Sequence, residues 1–126
     1  MIDGSELVEL EMALKAAEEE LTELTRQLPA AIKVKTFSKR MELALLAKYA
    51  APYLKQGKNT SIANSLAMTE EKYLKELEEL KDVFQIAETT IKNHEGAITR
   101  WETARSLLSS GKAQIPSSFH QQRRET

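Results

Sequence analysis

Apolar residues recur along this chain at intervals of three and four, the spacing that lines side chains up on one face of an α-helix. Leu7, Leu14, Leu21 and Leu28 repeat every seven residues, and Leu10, Ala17 and Leu24 fall three places after the first three. Sustained over three heptads, this is the a/d seam of a helix that faces another helix. Asp3 followed by Glu6 reads as a capping box, and Pro29 withholds a backbone donor. The pattern therefore predicts a first helix over residues 5–28, whose seam closes either within the chain or between chains.

Residues 30–37 then alternate apolar with polar between Ile32 and Lys35. With no second strand to pair with, an extended linker is expected here. Ser38 is placed to cap a second helix over 38–54, with Met41, Leu45, Leu46 and Tyr49 on its buried side. Pro52 should kink or stop it, and Gly57 and Asn59 supply a turn. The third segment is the longest. Leu77, Phe84, Ile91, Ile98 and Arg105 repeat every seven residues, with Tyr73, Leu80, Ala87, His94, Trp101 and Leu108 at the complementary positions. This predicts a helix over 69–109, about 60 Å at 1.5 Å per residue. Ile62 and Leu66 either extend it back to 62 or form a separate short helix. Gly96 costs about 1 kcal/mol against alanine inside such a helix, and is expected to admit a close neighbour.

The fold expected is all-α: an antiparallel helical hairpin or small bundle with a long C-terminal helix and coiled-coil seams. Residues 1–111 form one helical domain, and 112–126 a flexible tail whose Ile115, Phe119, Arg123 and Arg124 are either a partner-binding peptide or an end with no role. A greasy edge this long demands other helices along it, so a homo-oligomer is expected. Leu7, Leu14, Leu21, Leu77, Leu80, Phe84, Ile91, Ile98 and Trp101 are its seam.

Composition sets limits on the partners. Apolar residues make up 41% and charged residues 29%, and no run of about 18 apolar residues occurs, so neither a membrane span nor a secretory signal is expected. With no cysteine, disulfides and thiolate chemistry are excluded, and a cytoplasmic location fits. The net charge of −1 hides blocks of opposite sign: −6 over residues 1–28, +6 over 29–60, −3 over 61–105 and +2 beyond. A local field acts even where the average vanishes.

Catalytic chemistry is hard to find. His94 lies on the apolar seam, where a satisfied histidine is the ordinary case, and no acid sits three residues before it as in carboxylate di-iron bundles. Gly57-Lys58 lacks the rest of a phosphate loop. Glu19-Glu20-Leu-Thr-Glu23 matches half of the carboxylate signature of helical nucleotide pyrophosphohydrolases, but Glu79-x-x-Asp82 comes too late to complete it. No enzyme, cofactor, metal or small-molecule substrate is expected.

The basic segment offers more. Lys33, Lys35, Lys39, Arg40, Lys48, Lys55 and Lys58 are interleaved with Phe37, Tyr49 and Tyr53. Cations neutralise phosphates and release counterions, and aromatic faces stack on unpaired bases. Lys33, Lys35, Lys39, Arg40, Lys48, Tyr49, Tyr53, Lys55 and Lys58 are therefore candidate contacts to single-stranded DNA. The other reading has the lysines complementing the acidic first helix and the tyrosines serving as core. Attachment to an anionic membrane is the weaker alternative, since no basic amphipathic helix carries bulky apolar residues opposite its charges.

From Ser38 to Lys112, about 60% of the chain, the layout resembles the small helical recombination mediators of tailed bacteriophages. The shared features are a basic and aromatic helix end (Lys48, Tyr49, Tyr53, Lys55), a glycine turn (Gly57-Lys58), and one long helix closing near Gly111-Lys112. The acidic N-terminal heptads and Pro52 depart from that pattern. The resemblance implies helical hairpins assembled into rings that bind single-stranded DNA and help load a recombinase onto strands coated by a single-strand binding protein. It would place Lys48, Lys55 and Lys58 on phosphates. The function expected is a non-enzymatic, oligomeric accessory of phage-type recombination or replication. The alternative is a coiled-coil adaptor, chaperone or host-factor inhibitor working through protein contacts.

Overall fold

Asp3 opens the first helix by accepting the Glu6 N–H on its side chain at 2.8 Å, satisfying one of the donors a helix start leaves free. In the computed structural model, which describes residues 3–113, three helices follow: α1 (Gly4–Lys55), α2 (Thr60–Ala67) and α3 (Glu71–Ala113). The described residues are helical apart from short turns, as an all-α fold requires. No helix among them is long and apolar enough to cross a membrane.

The first helix does not stop at Pro29, and residues 30–37 are not a linker. Both Pro29 and Pro52 lie inside α1. The reason is the inward stripe, which continues past Pro29 through Ala31, Val34, Ser38, Leu45 and Tyr49, all buried or half-buried. Both prolines are exposed, so the carbonyls they leave unpaired, those of Thr25 and Lys48, lie on the solvent side. Ser38 caps nothing; its hydroxyl donates to the Lys35 carbonyl at 3.0 Å within the helix. Ile32 points outward at 48% exposure, so the strand-like alternation was a helix seen over too few residues.

α1 ends where the sequence places its turn. Gly57 adopts φ +86°, the left-handed conformation that glycine tolerates best. The Lys58 N–H reaches the Tyr53 carbonyl at 3.2 Å and the Gly57 N–H the Leu54 carbonyl at 3.0 Å, a Schellman closure. Asn59 then caps α2 by accepting the Ile62 N–H at 2.9 Å. α2 is a separate short helix, the second of the two arrangements open for Ile62 and Leu66. α3 begins close to its expected start and runs to Ala113; the part of the tail from residue 114 onward lies outside the described residues.

The chain divides into two compact units. The first combines residues up to Gln27 with those from Lys92 onward, and the second spans Leu28–Ile91. In the first, the α1 and α3 segments run antiparallel: Arg100 forms a bidentate ion pair with Glu20, and His94 Nε2 lies 3.2 Å from Thr25 Oγ1. In the second, antiparallel pairing brings Lys48 to Glu76, Tyr49 to Tyr73 and Tyr53 to Glu70, while α2 packs Ala63 and Ala67 against Ala50.

The buried apolar residues are seven alanines with Tyr73 and Leu108, and no large side chain among the described residues is fully enclosed. The seam residues Leu7, Leu14, Leu21, Leu77, Leu80, Phe84, Ile91, Ile98 and Trp101 are all half-buried. Arg105 is the exception to the stripe; it is exposed, its guanidinium 5.1 Å from the Trp101 ring centre. At Gly96 the nearest neighbour is a side chain of its own helix. A β-carbon there would lie 3.1 Å from the guanidinium of Arg100, one turn on.

Candidate nucleic-acid interface

All nine residues expected to contact DNA fall in the second unit, but the fold sorts them into four groups. At 3.6 residues per turn, Lys33, Arg40, Lys48 and Lys55 lie within a sector of about 80° on α1. Phe37 stands in the same sector. Seven or eight residues separate successive cations, about 10–12 Å of axial rise. The result is a straight stripe of positive charge with one aromatic ring in it. All four cations are exposed, and Phe37 is 39% exposed with Arg40 5.8 Å from its ring centre.

Lys35 and Lys39 are exposed on another flank, about 100° or more around the helix. Lys58 sits beyond the helix, in the turn after Gly57. Tyr49 and Tyr53 belong to neither surface group, because both turn toward the interior. Tyr49 meets the Tyr73 ring edge to face at 5.8 Å, and burial holds its phenol above the ordinary tyrosine value, the nearby Glu76 carboxylate adding to the effect. Tyr53 donates to Glu70 at 2.6 Å, and that hydrogen bond, with burial, raises its phenol as well. Both rings are half-buried, which leaves them less surface to offer a base than Phe37 has.

The basic part of α1 runs beside the acid-rich start of α3, residues 71–91, and the acidic part beside residues 92–113. Among the described residues, Lys48 is the one cation of the basic segment within ion-pair range of a carboxylate, 3.3 Å from Glu76. Both members are substantially exposed, so the pair is worth little to the fold. Lys33, Arg40 and Lys55 form no ion pair among the described residues, and Arg40 lies over the Phe37 ring.

Beside the stripe lies an apolar groove of about 480 Å³, lined on α1 by Met41, Ala44, Leu45 and Lys48 and on α3 by Glu76, Glu79, Leu80 and Val83. Met41, expected inside, is 38% exposed at this groove, and Val83 is 43% exposed. Lys48 stands on one edge and the two glutamates on the other, so phosphate is favoured on the α1 side alone. Phe37 is among the interleaved aromatics but not among the expected contacts, and the groove is not foreseen. Phe37 is legible as the one aromatic in register with Lys33 and Arg40, whereas the groove depends on α3 residues that only the folded chain brings near. No protein-family model, curated protein or solved structure matches this chain.

Proposed function

We propose that the chain is a non-enzymatic, oligomeric accessory protein that binds single-stranded DNA along the stripe of Lys33, Phe37, Arg40, Lys48 and Lys55. The alignment of four exposed cations and one exposed aromatic ring on a single face of α1 carries this reading. Backbone phosphates follow the cations, while one unpaired base stacks on Phe37 and others lie over the apolar groove. Nothing in the stripe selects a sequence. The layout shared with phage recombination mediators supports a place in recombination or replication, next to a recombinase or a single-strand binding protein.

Fluorescence anisotropy with labelled oligo-dT at low and moderate salt tests the proposal. Binding should weaken steeply with salt. Replacing Lys33, Arg40, Lys48 and Lys55 together by alanine should lower the slope of log affinity against log salt by up to about 3, at about 0.7 per phosphate contact on a single strand. Replacing Lys35 and Lys39 should have much less effect. Absence of binding at micromolar protein, or equal losses from the two sets, overturns it.

A further inference from the structure

The first unit carries a second apolar groove, with no cationic stripe beside it. Two hollows of about 480 and 510 Å³ share Leu10, Ala13 and Leu107 and so form one trough between α1 and α3. Its mouth lies where α3 closes: Leu107, Ser110 and Gly111 line it on that helix, and Ala113 is the last described residue. Leu107 stands 52% exposed on the wall. The charges that line the trough are Glu6, Glu9, Glu20 and Arg100. Arg100 is taken up by Glu20, whereas Glu6 and Glu9 form no ion pair among the described residues. An apolar floor with two spare carboxylates on one wall suits a short segment that carries bulky apolar side chains followed by cations.

Such a segment follows directly. Residues 114–126, Gln-Ile-Pro-Ser-Ser-Phe-His-Gln-Gln-Arg-Arg-Glu-Thr, hold Ile115 and Phe119 ahead of Arg123 and Arg124, with one acid, Glu125. We infer that residues 115–124 dock back into the trough of their own chain, with Phe119 between Leu10, Ala13 and Leu107 and the two arginines over Glu6 and Glu9. The reach fits. Pro116 disfavours helix at Ile115, and Pro-Ser-Ser suits a turn, which lets the chain leave the α3 axis there. Six residues lead from Ala113 to Phe119, up to about 20 Å when extended, against about 9 Å from Ala113 back to Leu107. Packed helix axes lie about 8–10 Å apart, and the four residues from Phe119 to Arg123 span up to about 13 Å, enough to cross from the α3 wall to the α1 wall. Tethering favours this occupant over a free one, because a short linker holds the segment at about millimolar effective concentration. The DNA stripe lies in the other unit and takes no part.

Because the chain has no cysteine, the contact is read directly by cross-linking within the full chain. Ala13→Cys with Ser118→Cys, oxidised in dilute solution, should close an intrachain disulfide several-fold faster than Lys15→Cys with Ser118→Cys. Lys15 is exposed two residues on and about 160° around α1. Adding Phe119→Ala, or Glu6→Gln with Glu9→Gln, to the first pair should remove most of that advantage. In the unmodified protein, nuclear Overhauser contacts should join the Phe119 ring to methyl groups of Leu10, Ala13 or Leu107. Equal oxidation rates for the two pairs, a product mainly of twice the 14.2 kDa chain mass, or a Phe119 ring with no such contacts each overturns the inference. The nuclear Overhauser result needs no substitution, so it decides even where a cysteine variant fails to fold.

Discussion

Tyr53 and Glu70 are joined by a 2.6 Å hydrogen bond that ties the last turn of α1 to the residue preceding α3, across the loop containing α2. The neutral phenol is the donor, so the folded state favours it and its pKa is raised. A raised folded-state value means the contribution is full below the ordinary tyrosine pKa and is lost as pH climbs through the folded one. Stability should therefore fall on the alkaline side of pH 10, and less so in Tyr53→Phe. Urea unfolding as a function of pH measures the difference. Equal alkaline losses in the two proteins would show that the bond contributes nothing.

Phe37 provides the sharpest distinction within the proposed interface. Stacking is worth about 1–3 kcal/mol per base, so Phe37→Ala should weaken oligo-dT binding by about 5- to 150-fold with little change in salt slope. Tyr49→Leu and Tyr53→Leu, which remove the ring, should weaken binding much less than Phe37→Ala, since these rings are turned toward the interior. Anisotropy titrations of the three variants check this, and a larger loss from either tyrosine than from Phe37 contradicts the placement.

Pro29 is exposed inside a continuous helix, and proline there costs about 3 kcal/mol against alanine. Pro29→Ala should accordingly stabilise the chain, by up to that amount, and raise its thermal midpoint. Were Pro29 a true helix stop, the same change would be neutral or harmful.

The glycines should respond in opposite directions. Gly57→Ala forces an alanine to φ +86° and should cost about 1–2 kcal/mol in urea unfolding. Gly96→Ala gains up to about 1 kcal/mol of helix propensity. The new methyl meets only the end of the Arg100 side chain, which can give way, so the net change should be a smaller stabilisation.

Much of the fold was legible because its signal is periodic. The α3 stripe from Tyr73 to Leu108, the Gly57–Asn59 turn and the Asp3 cap all follow from local spacing or backbone chemistry. Reading Pro29 as a stop failed because a local penalty was set against a stripe that continues on both sides of it. Tyr49 is legible on the buried side of its helix, but the choice between core and DNA contact stays open for both tyrosines, since it depends on which partner helix lies alongside. The sorting of Lys33, Arg40, Lys48 and Lys55 from Lys35 and Lys39 was hidden by the same mistake. Reading residues 30–37 as a linker leaves Lys33 and Lys35 without a helical phase in common with Lys39, Arg40 and Lys48.

The alanine-rich interior makes tolerance to substitution lopsided. At Ala50, Ala63, Ala67 and Ala97, each no more than 1% exposed, little side-chain volume remains to be removed, so trimming to glycine sacrifices mainly backbone order. Enlargement is different: a valine or leucine would wedge apart helices that meet across a single methyl group. Evolutionary drift at these sites should therefore run among glycine, alanine and serine, while the outward-facing leucines and methionines change freely wherever no partner holds them.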